Sequence, residues 1–411
     1  MEEILERENL KTALKAVLKN KGAPGIDGMT VDELPGYLKE NWTKIRAQLM
    51  EGKYVPKPVR RVEIPKPGGG VRKLGVPSVL DRWIQQAVQQ VLQRRWDPTF
   101  SDSSYGFRPQ RSAHQAVERA RSYIREGHQY VVDIDLEKFF DRVNHDVLMS
   151  RIARRIEDKR VLKLIRAFLN AGVMENGFVS ASEEGVPQGG PLSPILSNLL
   201  LDELDRELEK RNLKFVRFAD DCNVYVKSIR AGERVMESIT KFLSKRLRLT
   251  VNREKSAVGK PSWRRFLGFS FTSKANPKIR IAPASLSRFK VKVRQMTKPT
   301  KGRSLKQVTE ELASYLVGWR GYYGYCETPS ALFYLDKWIR RRLRALAWRH
   351  WKRGRKRFAE LRKRDVNHDL AARTCGSPKG PWRISKSPAL SLAFSNHYFA
   401  ALGLPSLVRS P

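Results

Sequence analysis

Four aspartates have the types and spacing to handle phosphate chemistry. Asp133 and Asp135 lie in QYVVDIDL at 129–136, where alternation puts Val132, Ile134 and Leu136 on one strand face and Val131, Asp133 and Asp135 on the other. Asp220 and Asp221 lie in KFVRFADDCNVYVK at 214–227, a tight acidic turn with apolar alternation on both sides. An acidic turn by itself is also what a solvated hairpin looks like. Together with the carboxylate strand and a Gly-rich GVPQGGPLSP at 185–194, the hairpin can instead gather separated carboxylates around hard divalent cations, which take oxygen ligands. Two Mg2+ ions roughly 3.5–4 Å apart would stabilise both the attacking and the leaving oxygen of an in-line phosphoryl transfer. Strand geometry alone does not choose between Asp133 and Asp135.

The elements that must position these groups are readable around them. Residues 4–20 repeat apolar positions at helical spacing, with Lys11, Lys15 and Lys19 four apart on a neighbouring face. The stretch 54–77 reads as a basic hairpin pivoting at Gly68-Gly69-Gly70, and 81–95 as a helix. Ser112 can cap a helix over 113–126. Helices are expected over 144–171 and 192–210, the latter burying Leu196, Leu199, Leu200 and Leu204. FLGFSF at 266–271 ends the mixed region, and strand signals fade beyond about 285.

Composition narrows the partner. The 411 residues hold 80 Lys and Arg against 42 Asp and Glu, a net charge of +38, so a polyanion is the expected partner, nucleic acid ahead of a membrane surface. Fourteen of the cations fall in 337–364, against the single acid Glu360 and interleaved with Trp338, Trp348 and Trp351, which reads as a phosphate-binding run. The three cysteines are too far apart in sequence for a disulfide framework or a zinc pair, and no 18-residue apolar run occurs. A reduced, cytoplasmic protein is expected. No GxxxxGK[ST] loop is present, which excludes a P-loop NTPase.

Eight segments in order carry a resemblance: KGAPGIDG, RRVEIPKPGGGVRKLGVP, SSYGFRPQRSAHQAV, VVDIDLEKFFDRVNHD, GVPQGGPLSP, RFADDCNVYV, LTVNREKSAV and FLGFSF, followed by a basic helical region and the ending WRISKSPALSLAFSNHYFAALGLPSL. Over nearly its whole length the chain resembles bacterial group II intron-encoded reverse transcriptases, or maturases, most of all the short class-C members without an endonuclease domain. The resemblance implies an α+β right-hand polymerase fold: fingers and palm over 1–275 with an N-terminal extension at 1–30, a helical thumb over 276–355, and a basic DNA-binding region over 356–411. It implies that Asp135, Asp220 and Asp221, with the Leu136 carbonyl, hold two Mg2+ ions, Mn2+ being a substitute, and that Asp133 is a structural neighbour.

By the same resemblance Lys66, Arg72, Phe139, Phe140 and Gln188 meet the incoming dNTP. Phe140, five positions after Asp135, matches the spacing of the ring that excludes a ribonucleotide 2′-OH. Gly189 and Gly190 pack against the nascent base pair. Nucleic-acid contacts are expected from Lys11, Lys15, Lys19, Arg341, Arg342 and Arg344, and from Arg108 and Arg111, which could equally sit on a solvated turn. The implied partners are a group II intron RNA, an RNA template with a DNA primer, target DNA and dNTPs, in a nucleoid-associated bacterial protein that polymerises, assists splicing and supports retrohoming. Phe218 stands where the family more often has tyrosine.

Overall fold

The apolar stripes of the first part of the chain close around the strand that carries Asp133. The computed structural model describes residues 1–65, 70–175, 178–180, 184–274, 276–299 and 302–408. The chain forms two units, Met1–Phe266 and Leu267–Pro411. The first runs α1 (Arg7–Asn20), α2 (Leu34–Met50), β1 (Val59–Pro65), β2 (Val71–Val76), α3 (Val79–Trp96), α4 (Ala113–Arg125), β3 (Tyr130–Ile134), α5 (His145–Ala153), α6 (Lys159–Asn170), β4 (Val173–Glu175), β5 (Phe178–Ser180), α7 (Ser193–Lys210), β6 (Lys214–Phe218), β7 (Asp221–Val226), α8 (Ile229–Phe242) and β8 (Ala257–Gly259).

The fold class is α+β, with two sheets in this unit. One is antiparallel with order β6-β7-β3-β8, and it pairs Asp133 with Asn223 and Ile134 with Cys222. The other has order β2-β1-β4-β5, with β1 antiparallel to β2 and parallel to β4. Helices cover the antiparallel sheet because its inward residues are apolar: Val132, Ile134, Val224 and Val226 join Leu196, Leu199, Leu200 and Leu204 of α7 in one core. Ser112 caps α4 in a reciprocal capping box with Gln115.

One local reading changes. The stretch 144–171 is two helices, α5 and α6, because the Asp158 carboxylate accepts the Arg160 N–H at 2.9 Å and begins a new helix there. The tip of the 54–77 hairpin, including Lys66, Gly68 and Gly69, lies outside the described residues.

The second unit holds β9 (Phe269–Phe271) and β10 (Ile279–Ile281), an antiparallel pair, and then helices: α9 (Pro283–Met296), α10 (Leu305–Tyr323), α11 (Pro329–His350), α12 (Gly354–Arg362), α13 (His368–Cys375), α14 (Pro381–Ile384), α15 (Pro388–Ala393) and α16 (Asn396–Ala401). Its aromatics pack in rows, with Phe289 on Trp319 at 4.3 Å and Trp351 on Phe394 at 5.5 Å between ring centres.

The 337–364 run has a more structural role than its charge implies. Arg341 lies 3.7 Å over the Trp382 ring and donates to the Trp382 carbonyl, and Arg344 donates twice to the Phe394 carbonyl. Arg342 donates to Thr297 Oγ1, and Arg364 covers Trp351 and pairs with Glu360. The expectation that Arg341, Arg342 and Arg344 contact RNA meets a competing role, since carbonyls, a hydroxyl and ring faces of the chain itself engage donors of all three. Lys352, Arg353 and Arg355 are among the exposed cations of the run, with Lys337, Arg349, Lys356, Arg362 and Lys363. Neutralising Lys352, Arg353 and Arg355 together is expected to lower the slope of log affinity for RNA against log salt by about 2, from 0.7–0.9 per lost contact. Neutralising Arg341 and Arg344 is expected to lower the melting temperature instead. Salt titrations of RNA binding beside thermal melts separate the two outcomes.

Candidate active site

Asp220 and Asp221 reach their position through a two-residue turn. Phe218 pairs with Asp221 across β6 and β7, leaving Ala219 and Asp220 at the tip, and Ala219 takes a left-handed φ of 57°. An alanine holds that conformation because its surroundings fix it. Gly106 lies against it so closely that a Cβ there would come within 2.2 Å of the Ala219 nitrogen, and the Ala219 carbonyl accepts from Arg217 at 3.0 Å.

Arg217 is fully buried. It forks onto Asp205 of α7 at 2.7 and 2.6 Å and spends its remaining donors on Asn198 Oδ1, Ser104 Oγ and the Ala219 carbonyl. All five guanidinium N–H groups are thus bonded, in a pair with no access to water. Sequence reading missed this pair. Its signal was an arginine inside an apolar strand, KFVRF, and an aspartate within the leucine stripe of 193–210.

Asp135 follows β3, and its backbone is held by LTVNREKSAV. The Asn252 N–H donates to the Asp135 carbonyl at 2.8 Å, and the Asp135 N–H donates to Ser256 Oγ at 2.9 Å. Lys255 Nζ stands 3.6 Å from the Asp135 carboxylate. Asp133, on the same strand face, is occupied: Arg264 donates to its carboxylate at 2.6 and 3.1 Å. The two aspartates that alternation puts on one face thus differ, with Asp133 tied to an arginine and Asp135 lining the cleft.

The cleft has a volume of about 1250 Å3 and is lined by Asp135, Asp220, Asp221, Arg72, Phe140 and Gln188, among others. Arg72 comes from β2 and Gln188 from the Gly-rich segment, which is laid on β2. The Gly75 N–H donates to the Gln188 carbonyl at 3.0 Å, and Gly189, at φ 135°, would put a Cβ 2.7 Å from the Gly75 carbonyl oxygen. Gly190 is close to Gln85. Leu136 lines the same cleft.

Phe140 is half-buried beside the carboxylates, and the Val186 N–H donates to its carbonyl at 2.7 Å. Phe139 is only 2% exposed and meets Phe140 edge-on at 5.1 Å. Phe139 also borders the cleft, but with its ring mostly in the core, where it backs Phe140. The expectation for Arg108 is corrected: its side chain is buried, with its donors on Asp97, Ser101 and Ser104, so it locks the SYGF turn. Arg111 is partly committed to Asp102. Lys15 and Lys19 are exposed on α1, and Lys11 pairs with Glu8. Phe107, which sequence reading passed over, also lines the cleft.

The electrostatics favour a cation. Loss of water to the surrounding protein, reinforced by Asp220, Asp133 and Asp135, pushes Asp221 up to about 7 even though its carboxylate opens on the cleft. Burial and then Asp135 also raise Asp220, with Arg72 among the charges that oppose the shift. Among the described residues no group of three His, Cys, Asp or Glu side chains is already arranged to hold a metal ion. Mg2+ seldom uses such a cage; it keeps waters and takes one or two carboxylates together with substrate phosphates. Three mutually repelling oxygen donors in one cleft fit that mode.

Residues 64–271 match the family model for reverse transcriptase (RNA-dependent DNA polymerase), and residues 286–364 match that for the group II intron maturase-specific domain. The chain belongs to the reverse transcriptase family. Among related proteins, this reverse transcriptase is 36% identical over 247 residues to the group II intron-encoded protein LtrA of Lactococcus lactis subsp. cremoris, covering 60% of this chain and 40% of LtrA. It is 33% identical over 295 residues to protein YkfC of Escherichia coli strain K12, covering 62% of this chain and 77% of YkfC. A putative COX1/OXI3 intron 1 protein of Saccharomyces cerevisiae is 25% identical over 393 residues, covering 79% of this chain and 46% of that one. The relationship places it with the group II intron-encoded reverse transcriptases. Among the described residues of this reverse transcriptase no helix is long and apolar enough to cross a membrane.

Two outcomes test the site. Removing one partner of a buried ion pair strands the other charge, so Asp205→Asn is expected to lower unfolding free energy by about 3 kcal/mol or more in urea denaturation. A loss below about 1 kcal/mol contradicts the role given to the pair. For Asp221 the sign follows from a folded-state value above the unfolded one. Its ionised form is disfavoured by folding, so its penalty is absent below about pH 4 and grows as pH rises to about 7. In EDTA, Asp221→Asn is therefore expected to raise the melting temperature by up to a few degrees at pH 7.5 and to leave it unchanged at pH 4, read by differential scanning fluorimetry.

Proposed function

We propose that the chain copies RNA into cDNA by adding dNTPs to a DNA primer, and that it also binds its group II intron RNA to assist splicing and retrohoming. The observation that carries the polymerase reading is the convergence of Asp135, Asp220 and Asp221 on one cleft, opposite Arg72 and the Gln188 segment. In the reaction the primer 3′-OH attacks the α-phosphate of a dNTP, the bond to the β-phosphate breaks, and pyrophosphate leaves. Asp135, Asp220 and Asp221, with the Leu136 carbonyl, would hold two Mg2+ ions, or Mn2+ in their place, which supply a more acidic 3′-OH and charge neutralisation at the phosphates.

The chain's own residues do the rest by positioning. Arg72 presents a forked donor to the triphosphate, and Lys66 an ammonium. Phe140 fills the space of a 2′-OH, with Phe139 behind it. Gln188, Gly189 and Gly190 allow close approach to the new base pair because glycine brings the backbone itself to the surface.

In this reading the first unit supplies fingers and palm, the helices up to 355 the thumb, and residues 356–411 a basic DNA-binding region. The match to the maturase-specific domain and the relation to LtrA support intron RNA as a partner, beside the RNA template, the DNA primer and target DNA. Lys15 and Lys19, with Lys11, add a basic helix face for RNA phosphates.

Primer extension on an RNA template with dNTPs and Mg2+ tests the reading. Extension is expected from the wild type and a loss of at least about a thousandfold from Asp220→Asn. Folded, RNA-binding wild type that extends no primer would move the function to splicing assistance. Phe140→Ala is expected to narrow the dNTP over rNTP preference in kcat/KM by about tenfold or more, and an unchanged ratio contradicts the gate.

A further inference from the structure

Phe107 combines two costly features. Its φ is 58°, in the left-handed region that glycine and asparagine occupy far more readily than an aromatic residue. It is also 51% exposed, although large aromatics are among the side chains a fold gains most by covering. Gln110, three residues on, shares the positive φ.

Both neighbours of Phe107 are fixed. Gly106 is pressed on Ala219, and its carbonyl accepts from Asn198 Nδ2 at 2.9 Å. Arg108 is buried and bonded to Asp97, Ser101 and Ser104. The strained backbone is thus imposed from both sides, and the ring is held out into the wall of the cleft that Asp135, Asp220 and Asp221 line. Strain kept in place by over-determined neighbours, next to a cleft, is the pattern of a residue retained for its side chain.

The geometry points to Phe107 as a base-stacking residue whose ring takes the face of the unpaired template base standing just ahead of the primer terminus. The ligand is a nucleobase because an exposed flat ring in a polynucleotide-sized cleft offers a π-face and no hydrogen-bond donor or acceptor. The unpaired base is the fitting one, since bases inside the duplex have both faces covered and a single-stranded base has one free. Stacking tolerates every base, as copying any template requires. The tie through Gly106 to Ala219 then couples the template base to the turn that carries Asp220. This inference rests on the polymerase reading.

The test uses the full chain bound to an RNA–DNA hybrid with a dideoxy-terminated primer and a 5′ template overhang, carrying 2-aminopurine either at the first unpaired template position or at the primer terminus. Fluorescence of the template probe is expected to fall on binding to the wild type and to Phe107→Tyr, and to stay high with Phe107→Leu, which keeps an apolar side chain of similar reach. The primer-terminal probe is expected to respond alike in all three. Affinity for the overhang is expected to weaken roughly tenfold in Phe107→Leu, with the melting temperature and the affinity for a blunt hybrid unchanged. Equal quenching of the template probe by wild type and Phe107→Leu overturns the inference, as does a change confined to the primer probe. Because binding is read without chemistry, a wild type that quenches yet extends no ordinary primer overturns the polymerase reading and leaves the stacking assignment standing.

Discussion

A positive charge buried without water is the constraint on which the site depends. Arg217 is tolerable in the core only because Asp205 and three other acceptor groups meet every one of its N–H groups. Those acceptors come from α7, from the SYGF segment and from the turn itself, so satisfying one guanidinium fixes all three relative to one another. The Ala219 backbone is held in a conformation alanine disfavours, and the two aspartates after it inherit that precision. Hydrophobic burial supplies most of the stability of this unit, but apolar packing alone would leave a two-residue turn free to shift.

The carboxylates show the opposite balance. Asp133 has Arg264, while Asp220 and Asp221 carry raised values because burial and then neighbouring carboxylates, Asp135 for the first and Asp220 foremost for the second, oppose their ionisation. A fold selected for stability alone would dilute that repulsion with a paired cation or an amide. Keeping it preserves a demand for external positive charge in the cleft. Arg72 and Lys255 meet the demand only in part.

Much of this was legible in the sequence because period-two alternation and acidic turns are local signals. Strand β3, the hairpin around Ala219 and Asp220, the Ser112 cap and the leucine stripe of α7 all follow from residues within a few positions of one another. What was not legible depends on distant partners. The Arg217–Asp205 pair is joined through space, Arg108 looked like a surface cation until Asp97 and two carbonyls enclosed it, and Arg341 and Arg344 are claimed by carbonyls about 40 and 50 residues away. Arginine is the hardest residue to assign from sequence, since one fork serves a phosphate or a buried carbonyl equally well. Phe107 was missed for a related reason: only the backbone reveals its strain.

The central claim is that Asp135, Asp220 and Asp221 act together as the seat of divalent cations at the phosphates. Counting bound Mn2+ by electron paramagnetic resonance, in the complex with dideoxy-terminated primer, RNA template and the next dNTP, tests it most directly. Two ions per wild-type complex and at most one in Asp221→Asn are predicted. The same number in both, with nucleotide bound equally, would contradict the account.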